Sequence, residues 1–280
     1  MDTNVSRGVV RADDALRVSL AAVWILEGLL PKLLFLRPGE IRALETAAPF
    51  LPFDATHFLH ALGAFEIALG LLLYLGFFVR PVLWLMLLII TLFTLDLLAL
   101  RPDLLLDPYG GLIKNVGLMG ATGAALALRG RAFLPLLDLV QRLRWDLVNE
   151  IGVDVIYRQQ AGAGRGIGVR TMLEDFAEIE REHASALEDA LHRLGTRPSL
   201  LGGPVAVLST MVGWLVARLG DRVMLWMDLW LERIGVRSYA TSARQFSAWG
   251  LDALASEFRL MAAAQEDHAR RIGALLAARD

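Results

Sequence analysis

In Ala177-Glu178-Ile179-Glu180-Arg181-Glu182-His183 the carboxylate of Glu180 and the imidazole of His183 stand three residues apart. Residues three apart share one face of a helix, so the two side chains can enter one site. Gln265 and His268 repeat the spacing near the C-terminus. Ahead of each pair stands a glutamate seven residues before a tyrosine: Glu150 with Tyr157, and Glu232 with Tyr239. A carboxylate on one helix and a carboxylate-x-x-histidine on the next is how a four-helix bundle surrounds two metal ions, and two such units close the cage. The second unit has Gln265 where the pattern needs a glutamate.

Residues seven apart nearly align along a helix, which predicts Tyr157 below Glu150 and Tyr239 below Glu232. The full pattern offers four carboxylates and two imidazoles to a pair of iron ions, whose charge offsets the buried acids. Here the metal-ligand candidates are Glu150, Glu180, His183, Glu232, Gln265 and His268, of which Gln265 offers only a neutral amide oxygen. Glu266 and Asp267 are adjacent, but one step along a helix turns a side chain by about 100°. An asymmetric two-metal centre, a weak or single-metal site and a metal-free bundle all stay open. Tyr157 and Tyr239 are the candidate catalytic groups, placed to donate a proton or hydrogen bond, or simply to pack. Asp228, one turn before Glu232, and Asp154, in a similar relation to Glu150, are candidates to support the ligands. Glu174, Glu178, Glu182 and Glu188, interleaved with Arg170, Arg181 and Arg193, read as a solvated helix face.

The surrounding segment, from Leu136 onward, is amphipathic and helical. A first helix is expected over 138–160, ended by Ala161-Gly162-Ala163-Gly164, and a second over 168–194, ended by Gly195-Thr196-Arg197-Pro198. Gly203 to Arg218 and Asp221 to about Ala240 supply a third, with a break at Gly220. A last helix is expected from about Ala243 to Ala278, with Gly250 as a dividing point.

Composition changes near residue 135. The 55% hydrophobic content and mean hydropathy of +0.49 are too high for an ordinary soluble chain of 280 residues, so much apolar surface should face lipid. The absence of cysteine excludes disulfides, thiol catalysis and cysteine-ligated metals, and leaves the redox compartment open. A formal charge of -2 and no basic cluster with aromatic platforms argue against nucleic acid as a partner.

Leu16–Leu36, Phe58–Phe78, Val82–Leu100 and Leu112–Leu128 suit membrane spans. They are separated by Pro38-Gly39, Arg80-Pro81 and Asp107-Pro108-Tyr109-Gly110-Gly111. Arg7, Arg11, Arg17, Arg80, Arg129, Arg131, Arg142 and Arg144 fall on one side of a four-span arrangement, against Arg37, Arg42 and Arg101 on the other, which puts both termini in the cytoplasm. The opposite loops carry Glu40, Glu45, Asp54, Asp103 and Asp107. Asp13, Asp14 and Arg17 precede a stretch that runs on for spanning length without a small-residue cleavage pattern, so a cleavable signal peptide is not expected. The fold expected is all-α: a four-helix transmembrane bundle, residues 12–130, followed by a membrane-associated four-helix bundle, residues 138–280.

Glu27, Lys32, Glu66, Asp96 and Lys114 lie in or near the spans. Such charges usually face the bundle interior, where a partner or polar ligand offsets desolvation. Glu66 and Lys114 are the candidate cofactor-binding residues, for a quinone headgroup or another small amphiphile; structural pairing or snorkelling is the competing reading. Glu27-Gly28 with Pro31-Lys32, the run Ala64-Phe65-Glu66-Ile67-Ala68-Leu69-Gly70, and Gly110-Gly111 with Lys114-Asn115 resemble the DoxX-like family of four-span membrane proteins. That resemblance implies the fold, and in some members quinone-linked oxidoreduction.

Arg144-Trp145-Asp146, Asn149-Glu150-Ile151-Gly152, Tyr157, the Ala177–His183 run, Val212-Gly213-Trp214-Leu215, Leu219-Gly220 and Glu232 with Tyr239 resemble the demethoxyubiquinone hydroxylase family of ferritin-like di-iron proteins. This implies a ferritin-like domain whose two iron ions, held by Glu150, Glu180, His183, Glu232 and His268, activate oxygen to hydroxylate or oxidise a quinone-like substrate. Gln265 departs from that family's glutamate. The uncharged run 200–217 is expected to lie on the membrane surface with Trp214, Trp226 and Trp230, since crossing the bilayer would separate the ligands. No Gly-x-Gly-x-x-Gly run marks a nucleotide site, so electrons would come from a quinol or an electron-donor protein. A non-enzymatic membrane protein binding quinone or lipid, with a metal-free bundle used for structure or partner binding, is the alternative. Either way the chain is expected in the cell's inner (cytoplasmic) membrane, contacting lipid and crossing it several times, with the bundle cytoplasmic.

Overall fold

The computed structural model describes residues 3–36, 41, 54–100, 102, 111–163 and 166–278. The expectations that involve Arg37, Pro38-Gly39, Glu40, Arg42, Glu45, Arg101, Asp103, Asp107 to Gly110 and Gly164 lie outside the described residues. The fold is all-α: α1 Thr3–Gly28, α2 Ala55–Leu75, α3 Val79–Leu100, α4 Gly111–Leu128, α5 Leu134–Ala161, α6 Ile167–Arg193, α7 Gly202–Arg218, α8 Asp221–Ala248 and α9 Asp252–Ala277. A π-helical segment, Leu29–Leu34, continues α1. Two compact units result, one of residues 11–137 and one of residues 1–10 with 138–280.

In the first unit, α2 and α3 are long and apolar enough to cross a membrane, and a third or less of each is buried in the protein. Outward-facing Leu88, Leu92, Leu95 and Trp84 fit a lipid surroundings better than a soluble core. The apolar stretch expected first is the C-terminal half of α1, and the fourth forms α4. Gly28 and Gly63 let α1 and α2 meet backbone to backbone: a Cβ on Gly28 would lie 2.4 Å from the Gly63 carbonyl oxygen. At one end of the unit Arg129 grips Asp13 with two hydrogen bonds, 2.8 and 2.7 Å, both side chains buried.

The second unit is a helical bundle, with Phe176, Phe246, Phe258 and Leu187 fully enclosed. Burying each contributes about 1.5–3 kcal/mol. Its breaks follow glycines with positive φ, which an L side chain rarely adopts: Gly220 at 100° between α7 and α8, and Gly250 at 70° between α8 and α9. The expected boundary at 240–243 is corrected. Ala240-Thr241-Ser242-Ala243 contains no breaker, so α8 runs on to Ala248 and Gly250 alone divides the helices. α7 runs beside α5, where Gly152 accommodates Ser209 and Gly213 accommodates Ile156.

Candidate metal centre

α5, α6, α8 and α9 bring the six ligand candidates into one buried site. Glu150, Glu180, His183, Glu232, Gln265 and His268 are each at most 6% exposed. Two triads have ligand atoms within 4.8 Å of one another: Glu150 with Glu180 and His183, and Glu180 with Glu232 and His268. Glu180 belongs to both. His183 Nδ1 lies 3.0 Å from Glu180 Oε2, and His268 Nδ1 lies 3.1 Å from Glu180 Oε1 and 3.4 Å from Glu232 Oε1. Gln265 enters the same site, where its Nε2 donates to Glu180 Oε2 at 2.8 Å.

The tyrosines cross between helices. Tyr157 donates to Glu232 and Tyr239 donates to Glu150. The seven-residue offset that aligns each tyrosine with the glutamate of its own helix also sets it opposite the other helix's acid, because α5 and α8 run antiparallel. Flanking pairs extend the pattern. Gln160 Nε2 donates to Asp228 Oδ1 at 2.9 Å, and Ser238 donates to Asp146 Oδ1 at 2.7 Å. Asp154 instead pairs with Arg158 at 2.7 Å on a half-exposed face. The residue that matches Asp228 is Asp146, which stands four before Glu150 as Asp228 stands four before Glu232. That repeat is legible in the sequence spacing alone.

Electrostatics follow from burial and crowding. Desolvation, reinforced by the charge of Glu180, pushes Glu150 well above the carboxylate range, and desolvation also raises Glu232. Glu180 is pushed up by burial too, but hydrogen bonds from Glu150, His183 and His268 outweigh this and hold it low. Burial lowers the basicity of His268, yet Glu180 and Glu232 overcome it and raise its pKa to about 9. Both tyrosines are pushed well above 10, mainly by burial. Glu150 Oε2, Glu232 Oε2 and His268 Nε2 are buried without a hydrogen-bond partner. Three crowded acids, two with unsatisfied oxygens, beside two imidazoles are a donor set that fits a pair of divalent cations.

The other expected polar residues separate cleanly from this site. Glu266 is exposed, Asp267 is held by Arg270 and Arg271, and Glu174 and Glu178 pair with Arg170 and Arg181 on the surface. In the membrane unit, Glu66 is paired with Lys32 at 2.8 Å and Lys114 is paired with Glu27. Lys32 also donates to the Glu27 carbonyl at 3.2 Å, which links the two pairs. Both cofactor candidates are therefore engaged in ion pairs, with Asn115 donating to Thr94 nearby on the sequence at 3.0 Å.

Residues 21–123 match the model of the DoxX-like family, and residues 138–275 match that of the ubiquinone biosynthesis protein COQ7. The chain fuses an N-terminal DoxX-like domain to a C-terminal ferritin-like domain resembling the COQ7 hydroxylase family. Among curated proteins, 3-demethoxyubiquinol 3-hydroxylases of Cupriavidus taiwanensis and Cupriavidus necator are each 32% identical to it over 83 residues, 30% of this chain and 40% of the relative. That of Ralstonia pickettii is 31% identical over 83 residues, 30% of this chain and 38% of the relative. The chain thus spans about two fifths of the length of the curated relatives it matches. No solved structure matches. In the COQ7-like domain the two buried carboxylate and histidine clusters are the features consistent with an oxidoreductase that acts on a quinone-related substrate.

Proposed function

We propose that this protein is a membrane-bound oxidoreductase that holds two iron ions in its COQ7-like domain and oxidises or hydroxylates a quinone-like, lipid-soluble substrate. The observation that carries the reading is Glu180, buried and within about one hydrogen-bond length of both imidazoles, at the junction of two ligand triads. Glu150, Glu180 and His183 would hold one ion, and Glu180, Glu232 and His268 the other. Iron held there supplies the redox change that dioxygen activation needs. The chain's own residues do the rest. Tyr157 and Tyr239 fix the terminal acids by donating to them, and the aromatic walls of Phe176 and Phe258 exclude water. The high pKa of both tyrosines keeps their hydroxyls protonated at neutral pH.

The substrate class follows from surface chemistry. Leu208, Met211, Trp214, Leu215, Trp226 and Trp230 are all more than half exposed on α7 and α8, an apolar surface suited to lying on a bilayer and receiving a substrate from it. The wider arrangement in this reading is four spans in the inner membrane, with both termini and the bundle in the cytoplasm. The Lys32–Glu66 and Glu27–Lys114 network serves as a second polar locus for a quinone or quinol, and a quinol or an electron-donor protein provides reducing equivalents.

A second reading is favoured by Gln265: its amide and both histidines already satisfy Glu180, which suits a metal-free bundle attached to a quinone- or lipid-binding membrane unit. Iron analysis of the full chain in mild detergent, after anaerobic ferrous loading, separates the two. About two irons per chain supports the oxidoreductase, as such a cage requires. None supports the alternative.

A further inference from the structure

We propose that Gln265 turns one ligand position of this centre into a binding site for a small carboxylate-type anion, of the class of formate and acetate, taken up from solution. The inference rests on the metal-binding reading above and concerns what completes the charge there.

The amide is fixed from two sides. Nε2 donates to Glu180 Oε2 at 2.8 Å, while Oε1 turns toward Gly235, where a Cβ would come within 2.5 Å of Oε1 and 2.9 Å of Cδ. Turning the amide over would set its oxygen against the Glu180 carboxylate, so the nitrogen belongs on that side. Gly235 therefore provides the space that lets Gln265 present a donor, not an acceptor, to the centre. Nε2 carries two N–H groups. One is used by Glu180, and the other has only a long contact, 3.5 Å, with His183 Nδ1.

Charge points the same way. Two divalent cations bring four positive charges, and Glu150, Glu180 and Glu232 return three; the imidazoles and the amide add none. A net positive charge in a buried site is costly unless neutralised. No other acid among the described residues takes the ligand position that Gln265 leaves, and neither Asp146 nor Asp228 belongs to a triad. Glu266 faces outward, Asp267 is held by Arg270 and Arg271, and Asp146 and Asp228 are bonded to Ser238 and Gln160. A planar two-oxygen monoanion would replace the absent glutamate's charge and accept from the spare N–H of Gln265.

The test uses the full chain in mild detergent, loaded with Co(II), with metal counted by mass spectrometry and formate titrated against the visible cobalt bands. The expected result is about two cobalts per chain and a saturable spectral shift with formate, but none with neutral formamide. Gln265→Glu should weaken the formate response by about tenfold or more, because a like charge then occupies the position. Gly235→Ala, which displaces the amide, should weaken it with the metal count unchanged. Full cobalt loading with a spectrum indifferent to formate, equal responses to formate and formamide, or a Gln265→Glu response like that of the parent would overturn the anion site and leave the metal reading standing. Failure to take up cobalt would overturn both.

Discussion

The Tyr157 hydroxyl donates to Glu232 on α8, although Glu150 stands two turns away on its own helix. The reciprocal bond from Tyr239 to Glu150 makes the pairing symmetric across α5 and α8.

Double-mutant cycles should detect this crossing. Tyr157→Phe and Glu232→Gln should be coupled by about 1 kcal/mol or more in unfolding free energy, while Tyr157→Phe and Glu150→Gln should be nearly additive. Thermal unfolding in detergent reads both cycles. Stronger coupling of Tyr157 to Glu150 would reverse the assignment.

Glu180 lies in both triads and each histidine in one. Metal counting should therefore find almost no iron in Glu180→Ala but about one ion per chain in His183→Ala or His268→Ala, with membrane insertion unchanged in all three. Full iron retention in Glu180→Ala would rule out a shared ligand.

Metal uptake should tighten as pH rises from 6 to 9. Glu180 and Glu232 push His268 up to about 9, so its imidazole must release a proton to coordinate, and burial makes Glu150 hold its proton more tightly than an ordinary carboxyl. Higher pH removes the competing protons. Cobalt titrations across this range, with proton release followed by an indicator, check the sign; an affinity that falls with pH would contradict it.

Two of the ion pairs described in the membrane unit are unequal in burial. Lys32 and Glu66 are nearly enclosed, whereas Lys114 and Glu27 are 46% and 39% exposed. Glu66→Gln strands a buried ammonium and should destabilise by about 3 kcal/mol or more, while Glu27→Gln costs about 1 kcal/mol or less. Melting temperatures in detergent give the order, and equal losses would show that enclosure is not what separates the pairs.

Labels at residues 198 and 220 should both react from the cytoplasmic side. α7 lies along α5 in the same unit as the ligands, so it should rest on the membrane without crossing it. The chain lacks cysteine, which makes single introduced cysteines clean reporters. Opposite-side labelling would reject the arrangement.

Much of the site was legible because helical spacing is local. Glu180 and His183, or Gln265 and His268, share a face by period alone, and Gly250 marked a real break. What escaped depends on helix direction and on contacts between distant segments. Periodicity puts Tyr157 under Glu150, but only the antiparallel approach of α8 shows that its hydroxyl serves Glu232. The same cause hid Asp146: its role emerges once Ser238 is beside it, while Asp154, favoured by proximity, is drawn away to Arg158. Lys32 and Glu66 each read as costly, but their pairing joins the π-helical turn Leu29–Leu34, which carries Lys32, to α2.

That turn has a consequence for how this gene can vary. The segment Leu29–Leu34 closes with the Phe35 amide reaching back to Leu30 at 2.8 Å, one residue further than an α-helix would. It behaves as a helix carrying a supernumerary residue, so deleting one codon there would restore regular winding without loss of backbone bonding. A deletion ahead of Lys32 would also swing that side chain by about 100° and draw it away from Glu66. Insertions and deletions at this point should thus be filtered by electrostatics, even though the helix itself would accept them.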